Sequence, residues 1–407
     1  MNRPGNKMTL SGVTTAAVAA APFFAARGGP SKPKATKWRA AATGLVLLAC
    51  ISAACSSSPN GVPTQPASGT ATAAAPAVAV SMAPVRSSSG CPGPNPSASG
   101  ATTETITVAG AQRTYRRYLP EHADNRPLPV VIDLHPLGRT IDEQVKISAF
   151  EAAAARETFI VLTPQGAGTP ANWSFAENAA NVDVQFITSM LDEVEAAACV
   201  DTARVYAAGY SAGANLASAL TCLRGDRIAA VGLVSGGTGR SGTCHPPRAI
   251  AVMIFWGKKD VLLPYCGGVG NIAFALIQNQ PIPTAIPPTC PPANLFGFLP
   301  VDQAVSNWAA ANGCDPNPNV AQVAVGVEQR DFGRCDQASA VRFFVVADGG
   351  HTWPGSKVMK AISDSATGAP SSQAGLAEAI GFTTDAIDAT QLMWTFFQRY
   401  ALTDITR

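Results

Sequence analysis

The sequence predicts an α/β domain with a mainly parallel sheet covered by helices on both faces. Three observations carry this expectation. Short continuous runs of Val, Ile, Leu and Phe alternate with longer segments of helical pattern, as strands buried on both faces do when helices connect them. The composition turns globular only from about residue 101, and the roughly 300 residues beyond it suffice for one large domain. No internal repeat interrupts the alternation.

Taken in order, "TITVAG" and "RTYRRYLP" read as an early hairpin and "PVVIDLHP" as a buried strand. "DEQVKISAFEAAAARE" reads as one helix, "FIVLTPQG" as a strand and "VDVQFITSMLDEVEAAA" as a helix. "RVYAAGY" is a strand, "SAGANLASALTCL" a helix, and "IAAVGLVSG" and "AVMIFWG" are strands. "DQAVSNWAAANG" is a helix, "AVRFFVVADGG" the last strand and "AIDATQLMWTFFQRYAL" the closing helix. Residues 267–300, rich in Pro, form an insertion without clear periodicity, and residues 355–384 look similar. Long excursions of this kind are often binding loops or lids.

The domain is preceded by two segments of another character. Residues 1–55 hold seven basic residues, no acid, and then the apolar stretch "AAATGLVLLACISAAC", which is too short to span a bilayer and reads as an export signal. Cys50 and Cys55 each end a lipobox-like stretch, so a lipid anchor to the membrane is expected at one of them. Loss of residues 1–55 leaves 22 basic against 27 acidic residues, and no basic patch interleaved with aromatics remains to suggest a nucleic-acid partner. Residues 56–100, made largely of Ser, Pro, Ala and Gly, read as a flexible tether. Eight cysteines remain beyond Cys55, which in an exported chain suggests up to four disulfides. They are dispersed without C-x-x-C pairs, so no metal site is implied, and no organic cofactor either.

Between strand "RVYAAGY" and helix "SAGANLASAL", Gly209, Ser211 and Gly213 stand at the spacing G-x-S-x-G. A strand-turn-helix setting is what a nucleophile elbow requires, with glycine where the turn is tight and the helix passes close to the strand. In an α/β-hydrolase the acid and the histidine follow the serine in the chain. Only His245 and His351 do so. His245 sits in a proline-rich loop, whereas His351 directly follows the last strand, where such folds place catalytic groups. Asp260, just past "AVMIFWG", is the expected orienting carboxylate, with Asp302 and Asp348 as competitors. The oxyanion hole is expected from the backbone N–H of Ala212 and that of Leu137, since Pro136 has none to offer. His135 is expected to be structural, bonding loop backbone rather than acting as base.

These residues resemble the secreted esterases of the polyhydroxybutyrate depolymerase-like and feruloyl esterase family (carbohydrate esterase family 1 type), which includes lipoprotein members from actinobacteria. The matching stretches are "RTYRRYLP", "PLPVVIDLHPLG", "VDVQFITSMLDEVEAAACVDTARVYAAGYSAGANLAS", "VMIFWGKKDVLLPY", "WAAANGC" and "DGGHTWPG", in the family's order across about residues 113–355. The resemblance implies an α/β-hydrolase fold, triad roles for Ser211, Asp260 and His351, and a disulfide between Cys314 and Cys335. Trp173 and Trp353 are expected either to line the acyl pocket or to be packing aromatics. The chain departs from the family at Pro136, where glycine usually follows the strand-end histidine, and in the insertion around Cys290. The implied function is a secreted or lipid-anchored serine esterase acting on short-chain esters such as hydroxybutyrate oligomers, feruloyl or acetyl esters. A non-catalytic envelope lipoprotein using the same fold as a binding scaffold is the alternative.

Overall fold

The computed structural model describes residues 84–91, 99–121, 126–174, 176–237, 246–278, 280, 297–365 and 380–403. The expected signal with its candidate lipid-anchor cysteines, most of the expected tether, His122, His245, Cys244 and Cys290 lie outside them.

The chain opens with the expected hairpin, β1 (Gly100–Val108) and β2 (Ala111–Leu119). Its two-residue loop has positive φ at both Ala109 and Gly110, the twist that joins antiparallel strands tightly. β3 (Leu128–Leu134) follows, and then α1 (Ile141–Ser148) and α2 (Phe150–Glu157) where one helix was predicted. Ala149 between them adopts φ 55°, a left-handed conformation that ends α1 while the apolar periodicity continues into α2. β4 (Ile160–Pro164), α3 (Val182–Ala197), β5 (Val200–Tyr210) and α4 (Ala212–Arg224) come next. They are followed by β6 (Ala230–Val234), β7 (Ala251–Gly257), α5 (Asn271–Ile277) and α6 (Val301–Ala311). β8 (Asn319–Ala324), β9 (Val327–Phe332), β10 (Val341–Val346), α7 (Lys357–Ser365) and α8 (Ala389–Phe397) complete the order.

The strands form one sheet in the order β1-β2-β4-β3-β5-β6-β7-β10-β9-β8. The six central strands, from β4 to β10, are parallel, and an antiparallel hairpin flanks them at each edge. This is an α/β-hydrolase type of sheet. The β8–β9 hairpin escaped the sequence reading, because β8 is exposed along almost its whole length and so lacks the apolar run that marks a buried strand.

Alternate residues of the central strands feed two cores, one on each face of the sheet. On β5, Val205 and Ala207 join α3, α4 and α6 through Phe186, Leu216 and Trp308. Tyr206, Ala208 and Tyr210 face the other way and meet Phe150 of α2 with Trp394 and Phe397 of α8. Burial of each Val, Leu or Phe side chain among these contributes about 1.5–3 kcal/mol.

Part of the predicted tether is also docked. The Cys91–Cys199 disulfide ties residues 84–91 to the domain, the Ser88 N–H donates to the Val200 carbonyl, and the Thr202 N–H donates to the Arg86 carbonyl. Composition hid this, because the attachment is made by backbone groups, one cysteine and polar side chains such as Ser88 Oγ, which donates to the Ala198 carbonyl and accepts from the Val200 N–H, rather than by apolar side chains. Cys314 and Cys335 are paired as the resemblance implied; Cys222 is in a disulfide, and so is Cys266.

Candidate active site

The elbow is built by close approach. A Cβ at Gly209 would lie 2.3 Å from the Gly213 carbonyl oxygen, and one at Gly213 would lie 2.1 Å from that of Leu134. Only glycine lets α4 start directly over the ends of β3 and β5. Ser211 itself has φ 54° and ψ −116°, a strained conformation for a residue with a side chain, which sets the serine between strand and helix. Its N–H is held by the Val234 carbonyl at the end of β6, and its carbonyl accepts the first helical bond, from the Asn215 N–H.

His351 and Asp260 come from the loops after β10 and β7, neighbouring parallel strands. The imidazole Nδ1–H donates to Asp260 Oδ2 at 2.7 Å, and both side chains are buried. Asp260 Oδ1 accepts the backbone N–H groups of Leu262 and Leu263 at 2.9 and 2.8 Å, so the carboxylate is fixed as an acceptor. This arrangement holds the histidine in one tautomer, with Nε2 free to accept a proton. The Tyr210 hydroxyl donates to the His351 carbonyl at 2.5 Å and fixes the loop from below. The competing acids are engaged elsewhere: Asp302 accepts from Tyr265 and Arg330, and Asp348 pairs with Lys259.

The loop after β3 forms a tight turn in which the Arg139 N–H donates to the Pro136 carbonyl and Gly138 takes φ 73°. Glycine at the third position of such a turn is what a positive φ demands. The Gly138 N–H donates to the Ala171 carbonyl, whereas no acceptor for the Leu137 or Ala212 N–H occurs among the described residues. Proline is tolerated at 136 because it opens the turn and supplies a carbonyl rather than an N–H.

His135 is fully buried and structural, as expected. Its Nδ1–H donates to the Pro136 carbonyl, and Nε2 accepts from the Gly166 N–H and from Gln165 Nε2. Burial lowers its pKa, so the ring stays neutral. Trp173 donates from Nε1 to the His135 carbonyl and packs on its ring. Trp353 donates to Thr390 Oγ1 and meets Phe150 and Tyr210 edge to face. Neither tryptophan lines the cavity, so of the two expected roles both take the packing one: each ring carries an N–H that needs a buried acceptor, which holds it in the wall behind the site.

Ser211, Ala212, Leu137 and His351 line one cavity of about 240 Å³. One wall follows Asp260: Leu262 and Leu263, then Ala273 and Ile277 of α5, and Phe298. Another group follows His351: Val358, Met359 and Ile362 of α7, with Ile380, and Ile147 of α1 lines the cavity too. Both excursions singled out in the sequence, residues 267–300 and 355–384, thus supply cavity wall. The polar groups on α1 and the loop before it include an Arg139–Glu143 ion pair at 2.8 Å. The sequence reading missed Tyr210, and it did not anticipate that the 355–384 excursion contains a helix. Tyr210 lies within the elbow motif, and strand alternation gives only the face of the sheet it takes, not the His351 loop it meets there. No feature of α7 distinguishes it in sequence from any short amphipathic helix. No group of three or more His, Cys, Asp or Glu suited to a metal occurs among the described residues.

Residues 113–260 match the family model described as "Esterase PHB depolymerase". "Feruloyl esterase B" of Piromyces equi is 26% identical over 239 residues, which cover 56% of this chain and 40% of that protein. "Probable feruloyl esterase C" of Aspergillus niger is 27% identical over 263 residues, covering 63% of this chain and 82% of the relative. "Feruloyl esterase C" of Emericella nidulans is 29% identical over 250 residues, covering 59% and 76%. With the elbow, the buried His–Asp pair and these similarities together, residues 113–260 are identified as a polyhydroxybutyrate depolymerase-type esterase domain, and the chain is similar to the feruloyl esterases.

Proposed function

We propose that this protein is a serine carboxylester hydrolase working through an acyl-enzyme outside the cytoplasmic membrane. The observation that carries the reading is the 2.7 Å bond from His351 Nδ1–H to Asp260 in a buried site whose cavity also exposes the strained Ser211. In the proposed cycle Ser211 Oγ attacks the ester carbonyl while His351 Nε2 takes its proton. Asp260 stabilises the imidazolium, and the N–H groups of Leu137 and Ala212 hold the oxyanion. His351 then gives its proton to the departing alcohol, and a water activated by the same nitrogen releases the acid.

Short-chain esters fit best. A cavity of about 150 Å³ holds a benzene, so by proportion 240 Å³ holds roughly ten non-hydrogen atoms, the scale of an acetyl, hydroxybutyryl or cinnamoyl-type ester group. The names of the feruloyl esterase relatives favour the last of these. The disulfides favour an oxidising compartment. A lipid anchor at Cys55 or Cys50 would retain the enzyme at the membrane surface.

The test is hydrolysis of p-nitrophenyl esters of increasing acyl length by the exported protein, beside Ser211→Ala, together with fluorophosphonate labelling. Turnover and labelling that both vanish in the variant support the reading. A folded, disulfide-intact protein that neither turns over any ester nor takes the label refutes it and leaves the binding-scaffold alternative.

A further inference from the structure

Met359 connects the two parts of the site that a substrate must satisfy together. It lies on α7, 3% exposed, with its side chain in the cavity wall. The Trp353 N–H, two residues beyond His351, donates to its Sδ at 3.2 Å, and its own N–H donates to Ser356 Oγ at 3.4 Å. The side chain is therefore pinned against the segment that carries His351, unlike its cavity neighbour Val358, which is 38% exposed. A methionine left free adapts to what packs against it. One whose sulfur is engaged is a fixed boundary.

The chemistry says which half of the ester that boundary meets. His351 Nε2 must protonate the departing alcohol oxygen, so the alcohol lies on the His351 side of the scissile carbon and the oxyanion on the side of the Leu137 and Ala212 N–H groups. We propose that Met359 sets the size limit for the alcohol half of the ester, a specificity-determining role that rests on the esterase reading above.

Two substrate series separate the halves: acetate esters of ethanol, butanol, hexanol and octanol followed by pH-stat, and p-nitrophenyl esters from acetate to decanoate. Met359→Ala is expected to raise kcat/KM for octyl relative to ethyl acetate by at least about tenfold, since one methylene of pocket fit is worth that much or more. The profile along the acyl series should keep its shape. Met359→Leu, which keeps the volume, is expected to retain the wild-type alcohol preference, and Met359→Phe to shorten it. An octyl-to-ethyl ratio in Met359→Ala within twofold of wild type, or a shift along the acyl series instead, overturns the assignment. If Met359→Ala does not fold, Met359→Phe decides through the opposite shift. Failure of the wild-type protein to hydrolyse any member of either series would overturn the esterase reading itself, a result distinct from turnover with an unmoved preference.

Discussion

Replacing Gly213 by alanine tests the elbow by setting two physical effects of opposite sign against each other. Gly213 lies in the first turn of α4, where helix propensity alone favours alanine by about 1 kcal/mol. The new Cβ, however, would stand 2.1 Å from the Leu134 carbonyl oxygen, 2.6 Å from its carbon and 2.8 Å from the His135 carbonyl oxygen. All three are backbone atoms at the end of the central strand β3, so no flexible side chain can turn aside. Ordinary contact begins near 3.4 Å, so α4 and β3 must separate by about 1 Å. Overpacking of this kind costs about 3 kcal/mol, which exceeds the propensity gain. The displacement falls between Ser211 and the Leu137 loop, and a misplacement of about 1 Å costs roughly 100-fold in rate. The expected outcome is a lower urea midpoint with unchanged slope, and kcat/KM for p-nitrophenyl acetate reduced about 100-fold. A midpoint equal to or above that of the wild type, with activity retained, would refute the close-packed elbow.

Other consequences are equally open to measurement. Asp260→Asn should lower kcat by about 10⁴-fold by losing the acceptor that holds the His351 tautomer, with little change in KM; a loss under tenfold would remove Asp260 from the triad. Asp133 is buried beneath α1, bonded to Ser148 Oγ and Gln144 Nε2, and burial pushes its pKa up to about 7. The folded protein therefore holds this proton more tightly than the unfolded chain, so Asp133 favours folding at low pH and loses that contribution as pH rises through 7. Asp133→Asn should accordingly be more stable relative to wild type at pH 8 than at pH 5, as urea unfolding at both values would reveal. The Cys314–Cys335 disulfide closes a loop of 21 residues, so replacing both with serine should cost about 3 kcal/mol, measured by chemical unfolding without reductant.

The amino-acid sequence by itself determined the alternation of buried strands and helices, because a strand covered on both faces must be apolar throughout and leaves that mark locally. It also marked the candidate chemistry-bearing positions. The G-x-S-x-G turn needs its glycines for steric reasons that act over four residues, and Asp260 and His351 stand at strand ends whose order the fold class prescribes. Three features were decided only by the tertiary structure. β8 is held by pairing with β9 rather than by burial, so its own residues carry no signal. Ala149 breaks α1 from α2 although nothing in "ISAFEA" is a breaker; the packing of Ile147 and Phe150 into the same core accompanies the left-handed turn between them. Trp173 and Trp353 were ambiguous between lining and packing until the acceptors of their N–H groups, the His135 carbonyl and Thr390, were located far along the chain. The cavity itself belongs to the same class: residues more than 200 positions apart, from Leu137 to Ile380, form its surface. Local patterns write strands, helices and turns into a sequence, whereas a cavity is a relation between chain segments that only the folded molecule brings together.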